Sequence, residues 1–445
     1  MTNQSIQSKS ILLYNPISGH GHLDSWNALF VSFLLEAGWQ VASLSPGAAD
    51  LKNRLTQKKL ATHPNLRILE WRTPKRRLSE RVRAKLVRMF QPRLQSSNKP
   101  VINELEASYL QPQEFAQRVQ DAFLQLKEGS RQSLLHPPQF VFNMYMDLYR
   151  PDELGWAPFA QANKLPWAGI RFRPSPVLDA TTNAPLQPTE AYYQLPTLTG
   201  MCLLDEPLSQ LYVERLPQKV FGYLPDITET SLPEQPSEVV LEIKRRAAGR
   251  KIVFLGGTIG SNKNLSRWFE LIAMANPSQW FFVQIGEVHE QNLSVADLAA
   301  YQQALAETPE HVYIKTEYLP DERVFNEVIA ASDILFAVYR KFSISSNMPG
   351  KAAAFEKPIL VAEGYLMAER VNQYQIGLSV PEEDPKKMLG ALEALAAPLD
   401  VRSKGRTEHF AAYRRDFSHE ALKARFFTFL EQAMAVNTAP KLQRP

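Results

Sequence analysis

The sequence predicts an α/β protein built from two doubly wound, parallel-sheet units in succession. Two observations carry this. Short apolar runs alternate with helical stretches from Ile11 onward, and the same alternation restarts at Lys251. Between them, Leu216 to Glu238 gathers Pro217, Pro225, Pro233 and Pro236, the composition of a linker. The expected organisation is a first unit over 1–224, a second over 225–410 and a helical tail over 411–445.

Ile11-Leu12-Leu13-Tyr14 is a short apolar run, as a buried parallel strand requires. A turn-rich loop from Asn15 to His22 follows. Next comes a helix with Leu29, Phe33 and Leu34 on one face and Asp24 or Ser25 as its cap. Gly38 ends that helix, and Trp39 to Leu44 is a second strand. This βαβ opening implies a right-handed crossover. A helical stretch runs to about Leu126, and Phe140 to Met146 reads as a strand ending near Asp147. Leu165 to Phe172 reads as a further strand with its entry turn.

In the second unit, Ile252 to Leu255 is a strand, Gly256 to Lys263 a loop and Leu265 to Met274 a helix. Strands follow at Trp280–Ile285, Val312–Ile314, Ile334–Val338 and Ile359–Val361. Helices are expected at Asp321–Ser332 and Asn347–Phe355. The closing region, Glu408 to Val436, is helical and is expected to pack back on the first unit.

Composition narrows the function. The 445 residues are 44% hydrophobic, enough for large cores. Fifty Lys and Arg against 46 Asp and Glu leave a net charge of +4, too small to argue for a nucleic-acid partner. One cysteine, Cys202, excludes an intrachain disulfide and a zinc site built from several thiolates. Met1 to Ser10 is polar, and the apolar stretch after it is too short for a signal peptide. No run of about 18 apolar residues is present, so a cytoplasmic location is expected. Arg72 to Arg93 holds nine basic residues against Glu80 alone, with Leu78, Val82, Leu86, Met89 and Phe90 on one helical face. Such a helix suits an anionic membrane surface from the cytoplasmic side, or a solvated helix packed on the first unit.

In doubly wound sheets, ligands bind beyond the carboxyl ends of the strands. The loops there carry the candidate residues. Gly256-Gly257-Thr258-Ile259-Gly260-Ser261-Asn262-Lys263-Asn264 lies between a strand and a helix. Its glycines let backbone N–H groups approach an anion, the helix N-terminus adds partial positive charge, and Lys263 adds a full one. Its structural alternative is a glycine-rich turn with a solvated lysine. A second loop, Tyr339 to Asn347, places Ser345, Ser346 and Asn347 at a helix start, with Arg340, Lys341 or Lys351 nearby. Hydroxyls and N–H groups there can hold a diphosphate, or simply cap the helix. In the first unit, His22 follows Gly19-His20-Gly21, and a histidine in such a loop can act as a general base. Asp147 can orient a histidine, bind a sugar hydroxyl or serve as a turn residue.

At these loops the sequence resembles the bacterial group 1 glycosyltransferases, which have the GT-B fold of two Rossmann-like domains facing a cleft. Gly21-His22-Leu23 resembles their amino-terminal Gly-His loop. Gly256 to Gly260 resembles the glycine loop that contacts the donor diphosphate, and Lys263-Asn264 matches the Lys-Asn at the start of the next helix. Glu317-Tyr318-Leu319-Pro320 through Asp333 resembles the segment leading to the donor site. Ser345 to Val361, then Ala362-Glu363-Gly364 and Gly377-Leu378, follows the donor-binding helix and strand.

The sequence departs from that pattern at Thr258, where many retaining members have arginine. It departs again at Ser343 and Lys351, where they have glutamates eight residues apart. Glu356 replaces the glycine before Lys357-Pro358.

The resemblance implies transfer of a sugar from a nucleoside diphosphate to an acceptor, in cell-surface polysaccharide or glycolipid synthesis. The donor-binding residues would be Gly257, Thr258, Lys263, Tyr339, Ser345, Ser346, Asn347, Lys351 and Glu363, and the catalytic residues His22 and Asp147. His22 would be the acceptor base in an inverting enzyme and would contact the sugar in a retaining one. No metal or cofactor is expected beyond the nucleotide sugar as co-substrate. Two alternatives remain open: a nucleotide-sugar epimerase of the same fold, and a binding protein that has lost catalysis.

Overall fold

The first unit alternates strands and helices in the order β1 (Ser10–Tyr14), α1 (His22–Glu36), β2 (Gln40–Ser45), α2 (Ala48–Gln57) and β3 (Leu66–Glu70). It continues with α3 (Pro112–Glu128), β4 (Phe140–Asn143), α4 (Trp156–Ala162), β5 (Trp167–Arg171), β6 (Leu198–Leu203), α5 (Glu206–Arg215) and β7 (Val220–Tyr223). The second unit runs α6 (Glu238–Ala247), β8 (Lys251–Gly256), α7 (Leu265–Met274), β9 (Trp280–Ile285), α8 (Val295–Glu307) and β10 (Val312–Lys315). It closes with α9 (Glu322–Ala331), β11 (Ile334–Ala337), α10 (Met348–Ala354), β12 (Ile359–Ala362), α11 (Leu366–Tyr374), β13 (Gly377–Val380), α12 (Pro385–Ala396), α13 (Arg406–Asp416) and α14 (His419–Ala435).

This computed structural model describes residues 9–19, 22–71, 110–128, 136–149, 155–174, 190–307, 309–317, 319, 321–397 and 406–436. The expected basic helix at 72–93 lies outside the described residues, as do His20, Gly21, Tyr318 and Pro320. The chain divides into Met1–Tyr223 with Arg425–Pro445, and Leu224–Ala424.

Both sheets are wholly parallel. The first has the order β3-β2-β1-β4-β5-β6-β7, the second β10-β9-β8-β11-β12-β13. Strands β1, β2, β4, β5 and β6 are buried at every position, which explains the unbroken apolar runs Ile11–Tyr14 and Phe140–Phe142. The edge strands β3, β7, β10 and β13 are part-exposed and less apolar. The sequence pattern passes over β3, which carries Arg67 and Glu70, over β6, whose run Thr199 and Gly200 interrupt, and over β7, which is only four residues long. β7 lies inside the proline-rich stretch taken as linker: Val220-Phe221-Gly222-Tyr223 pairs in register with β6. The strand expected over Phe140–Met146 stops at Asn143, and Met146–Leu148 forms a single 3₁₀ turn.

Aromatic packing fills both cores. In the first unit Phe115 stacks on Tyr14 at 4.9 Å and on Phe159 at 5.0 Å, and Trp156 stacks on Trp167 at 6.1 Å. In the second, Trp268 of α7 meets Phe336 at 4.7 Å and Phe282 at 5.3 Å.

The closing helix packs on the first unit, as expected. Phe426 stacks on Phe30 of α1 at 4.2 Å and meets Phe142 of β4 edge-on at 5.3 Å. Phe429 lies over β6 and β7, where Gly200 and Gly222 leave it room; a Cβ on Gly222 would stand 2.8 Å from its ring. Helix α13 belongs to the second unit, whose core includes Phe410 and Tyr413. Among the described residues, no helix is long and apolar enough to cross a membrane.

Candidate functional site

The strand order of the second sheet places its crevice. The chain leaves β8 outward through β9 to β10, then returns to lay β11 on the other side of β8. Loops from the carboxyl ends of β8 and β11 therefore diverge, which opens the position where doubly wound sheets take ligands. The two loops that follow these strands are Gly256–Asn264 and Val338–Asn347, the pair that the sequence singles out.

The first loop is shaped for close approach. Gly257 has φ +89°, a region closed to most side chains. Opposite it, a Cβ on Gly286 would fall 1.9 Å from the Gly257 carbonyl oxygen, so only glycine fits there. Thr258 is exposed at the tip.

Lys263 folds back beneath this loop. Its Nζ donates to the Gly256 carbonyl at 2.9 Å and to the Tyr339 hydroxyl at 2.7 Å, and it sits 3.9 Å from the centre of the Tyr339 ring. Lys263 is only 7% exposed, and no carboxylate pairs with it among the described residues. Burial pushes its pKa down to about 7. Its ammonium uses two of three donors. A buried cation lacking a counter-charge favours an anion beside it.

Tyr339 is buried, and that burial pushes its own pKa up. Its hydroxyl thus stays protonated and serves as an acceptor for Lys263.

Asn264 follows in left-handed conformation, φ +59°, which asparagine tolerates. Its Nδ2 donates to the Glu382 carbonyl at 2.6 Å, and its Oδ1 accepts from Arg340 Nη2 at 2.6 Å. The N-terminus of α7 is not wholly free for an external anion. The Ser266 N–H donates to Asp297 Oδ1 at 2.8 Å.

The remaining expected donor residues occupy different settings. Ser345 Oγ donates to Asp226 Oδ2 at 3.0 Å and accepts from Arg370 Nη1 at 2.7 Å. Ser346 Oγ accepts from the Met348 N–H at 3.3 Å, a local turn bond at the start of α10. Asn347 is exposed and makes no side-chain cap bond. Glu363 is exposed at the carboxyl end of β12.

Lys351 is fully buried. Its ammonium donates to Glu322 Oε1 at 2.5 Å, Asn326 Oδ1 at 2.5 Å and the Glu229 carbonyl at 2.6 Å. Those three bonds use its whole donor capacity. It fastens the segment after β7 to α9 and α10 and has no donor left for a phosphate.

In the first sheet the corresponding switch point lies between β1 and β4. His22 opens α1, just beyond the loop that leaves β1, and its side chain lies outside the described residues. Asp24, expected as a cap, sits within the first helical turn, and its carboxylate accepts the Gly19 N–H at 2.8 Å. Asn15, the residue after β1, is fully buried, and neither end of its amide finds a partner among the described residues.

Asp147 follows β4, but its carboxylate is committed. It accepts the N–H groups of Phe172 at 2.8 Å and Arg173 at 3.0 Å, and lies 3.8 Å from Arg171 Nε. Arg171 also pairs with buried Glu190. This arrangement pins the end of β5.

Sequence reasoning missed Asp297 entirely and took Arg340 only as a nearby charge. Asp297 lies on α8, a helix with no clear apolar periodicity between two well-marked strands, so nothing in the sequence drew attention to it.

No protein-family model matches this sequence, and no curated protein matches it. Solved structures do resemble it. A glycosyltransferase from Rickettsia africae superposes with a TM-score of 0.58 at 10% identity, over 97% of this chain and 100% of that one. An α,α-trehalose-6-phosphate synthase from Burkholderia multivorans gives 0.59 at 14% identity, over 97% and 100%. An Anabaena protein solved in complex with UDP and glucose gives 0.59 at 10% identity, over 95% and 99%. What the chain shares with them is the GT-B fold of two doubly wound α/β units.

Proposed function

We propose that the protein is a glycosyltransferase that takes its sugar from a nucleoside diphosphate held by the second unit. The observation that carries this reading is Lys263, a buried ammonium without a carboxylate partner, set under a glycine loop at the β8/β11 switch point. The fold likeness to a glycosyltransferase and to a protein solved with UDP and glucose supports it.

In this reading an acceptor hydroxyl attacks the anomeric carbon of the donor sugar. The new bond joins acceptor oxygen to that carbon, and the carbon–oxygen bond to the diphosphate breaks with its electron pair going to the diphosphate. Negative charge grows on the leaving group, where Lys263 and the loop N–H groups stabilise it. A preorganised donor of that kind is worth roughly 3 kcal/mol in the transition state. The acceptor proton goes to His22 if the enzyme inverts; if it retains, His22 contacts the sugar. His22→Ala lowers turnover by roughly a hundredfold or more if His22 is the base. Unchanged turnover removes that role.

The acceptor side rests on His22 and on the basic stretch at 72–93, which suits an anionic membrane surface and a cytoplasmic enzyme of polysaccharide or glycolipid synthesis. Salt-sensitive sedimentation with anionic vesicles tests the membrane part.

A panel of nucleotide sugars tests the whole. Release of nucleoside diphosphate with sugar transferred to an acceptor supports the proposal, and failure of every donor to bind ends it. Binding without turnover would favour a protein that has lost catalysis. The setting of Lys351 supports that second reading, since a buried lysine tied to Glu322 stands where retaining relatives of the resembled family have a glutamate. Isomerisation of the sugar would mark an epimerase, which the glycosyltransferase and synthase among the similar folds do not favour.

A further inference from the structure

Consecutive residues of one loop hold consecutive residues of the other. Tyr339 bonds Lys263, and Arg340 bonds Asn264. Arg340 reaches further. Its Nη1 donates to Asp297 Oδ2 at 2.7 Å, and its Nη2 donates to Ser266 Oγ at 3.1 Å. Its backbone N–H donates to the Asn262 carbonyl at 2.8 Å. Asp297 has a fully buried side chain and also accepts from the Ser266 N–H at 2.8 Å and Ser294 Oγ at 2.7 Å. One guanidinium and one carboxylate thus tie together the glycine loop, the first turn of α7, α8 and the loop after β11.

We propose that Asp297 and Arg340 are the positioning pair of the diphosphate loop, fixing Asn264 in its left-handed turn and so holding Lys263 beneath the glycines. This rests on the reading of Lys263 as the diphosphate cation. Neither residue of the pair need touch the donor. Arg340 spends both of its Nη groups on Asp297, Asn264 and Ser266, and its Nε faces the Glu383 carboxylate 3.6 Å away. Asp297 is a negative charge at the start of α7, where a diphosphate is to be favoured, and only its partner makes it harmless there. The pair therefore gives the loop rigidity without adding net charge, and Lys263 remains as the uncompensated cation.

Two variants separate positioning from charge. Arg340→Gln leaves the carboxylate unopposed, whereas Asp297→Asn leaves the guanidinium unopposed. If the pair acts by position, both loosen Lys263. If it acts only by charge, Asp297→Asn strengthens anion binding and Arg340→Gln weakens it.

Lys263 is read directly by the rate at which its amine is acetylated in the folded protein, followed by mass spectrometry. Lys351, also buried but held by Glu322 and Asn326, is the internal control. The expected result for both variants is a rise of roughly tenfold or more in Lys263 acetylation with Lys351 still protected. The affinities for inorganic pyrophosphate and for UDP should fall by roughly tenfold as preorganisation is lost. Unchanged Lys263 acetylation, an equal rise at Lys351, or tighter pyrophosphate binding by Asp297→Asn each overturns the proposal. Should Arg340→Gln fail to fold, Arg340→Lys reads the same quantity, because one ammonium can keep Asp297 but not bridge to both Asn264 and Ser266.

Wild-type protein that binds neither pyrophosphate nor UDP would count against the diphosphate reading. The acetylation comparison would still decide whether the pair positions Lys263.

Discussion

Lys263 Nζ lies 2.7 Å from the Tyr339 hydroxyl, and the two residues end up together because β8 and β11 are neighbours in the second sheet. An ammonium in that place without a carboxylate is a cost to the unliganded fold. Lys263→Met should therefore raise the melting temperature of the free protein. It should also abolish the stabilisation that a nucleoside diphosphate gives the wild type, with a loss of tenfold or more in affinity, about 1.4 kcal/mol. Differential scanning fluorimetry with and without UDP measures both. A variant that loses stability yet keeps the ligand shift would contradict this role.

The same lysine makes binding depend on pH. In the free protein burial has lowered its pKa to about 7, and a bound diphosphate would raise it again. Binding therefore takes up a proton above neutrality. Affinity should fall as pH rises through about 7, with a limiting slope near tenfold per pH unit. The stability of the unliganded protein runs the other way. Between about 7 and the ordinary lysine value the unfolded chain holds a proton that the folded one lacks, so stability rises with pH across that window. Calorimetric titration with UDP at several pH values checks the first trend, and thermal melts check the second.

Asp147 should reveal itself in stability more than in rate. Asp147→Ala strips the acceptor from two backbone N–H groups and a neighbour from Arg171. A loss of roughly 3 kcal/mol is expected on chemical denaturation. If the variant instead keeps its stability and loses turnover, the carboxylate works on substrate.

Phe429 and the glycines beneath it should behave as one unit. Phe429→Ala opens a hole in the first unit's core and should cost about 3–5 kcal/mol. Gly200→Ala should also destabilise, by roughly 1–3 kcal/mol, since its Cβ would stand 2.4 Å from the Val220 carbonyl and 3.0 Å from the Phe429 ring. If Gly200→Ala is neutral in a denaturant titration, the helix does not press on the sheet as described.

Ile11 to Tyr14 and Ile252 to Leu255 were legible because burial on both faces writes them as unbroken apolar runs, whereas β6, equally buried, was missed because Thr199 and Gly200 interrupt its run. Edge strands β3 and β7 were missed too, since β3 carries Arg67 and Glu70 and β7 is only four residues long among prolines. Lys263 was legible as the basic residue of a strand–glycine loop–helix sequence. What surrounds it was not. Whether a lysine faces solvent, as an isolated charge would, or is buried over a tyrosine 76 positions away depends on sheet order. Lys351 shows the same limit in reverse. Its place near a helix start suggested a phosphate ligand, while its partners come from Glu229, Glu322 and Asn326, residues that no local pattern connects to it.

The docking of α14 has a bearing on biosynthesis. Phe30 near the start of the chain and Phe426 near its end stack on each other in the same core. A ribosome delivers the first of these long before the second. The first unit must therefore wait, with part of its apolar interior uncovered, while the whole of Leu224–Ala424 is made, and that second unit is free to mature first. Synthesis order and folding order are in this way inverted. A chain halted just past Ala424 has a leading half that is unfinished while its trailing half can already be complete.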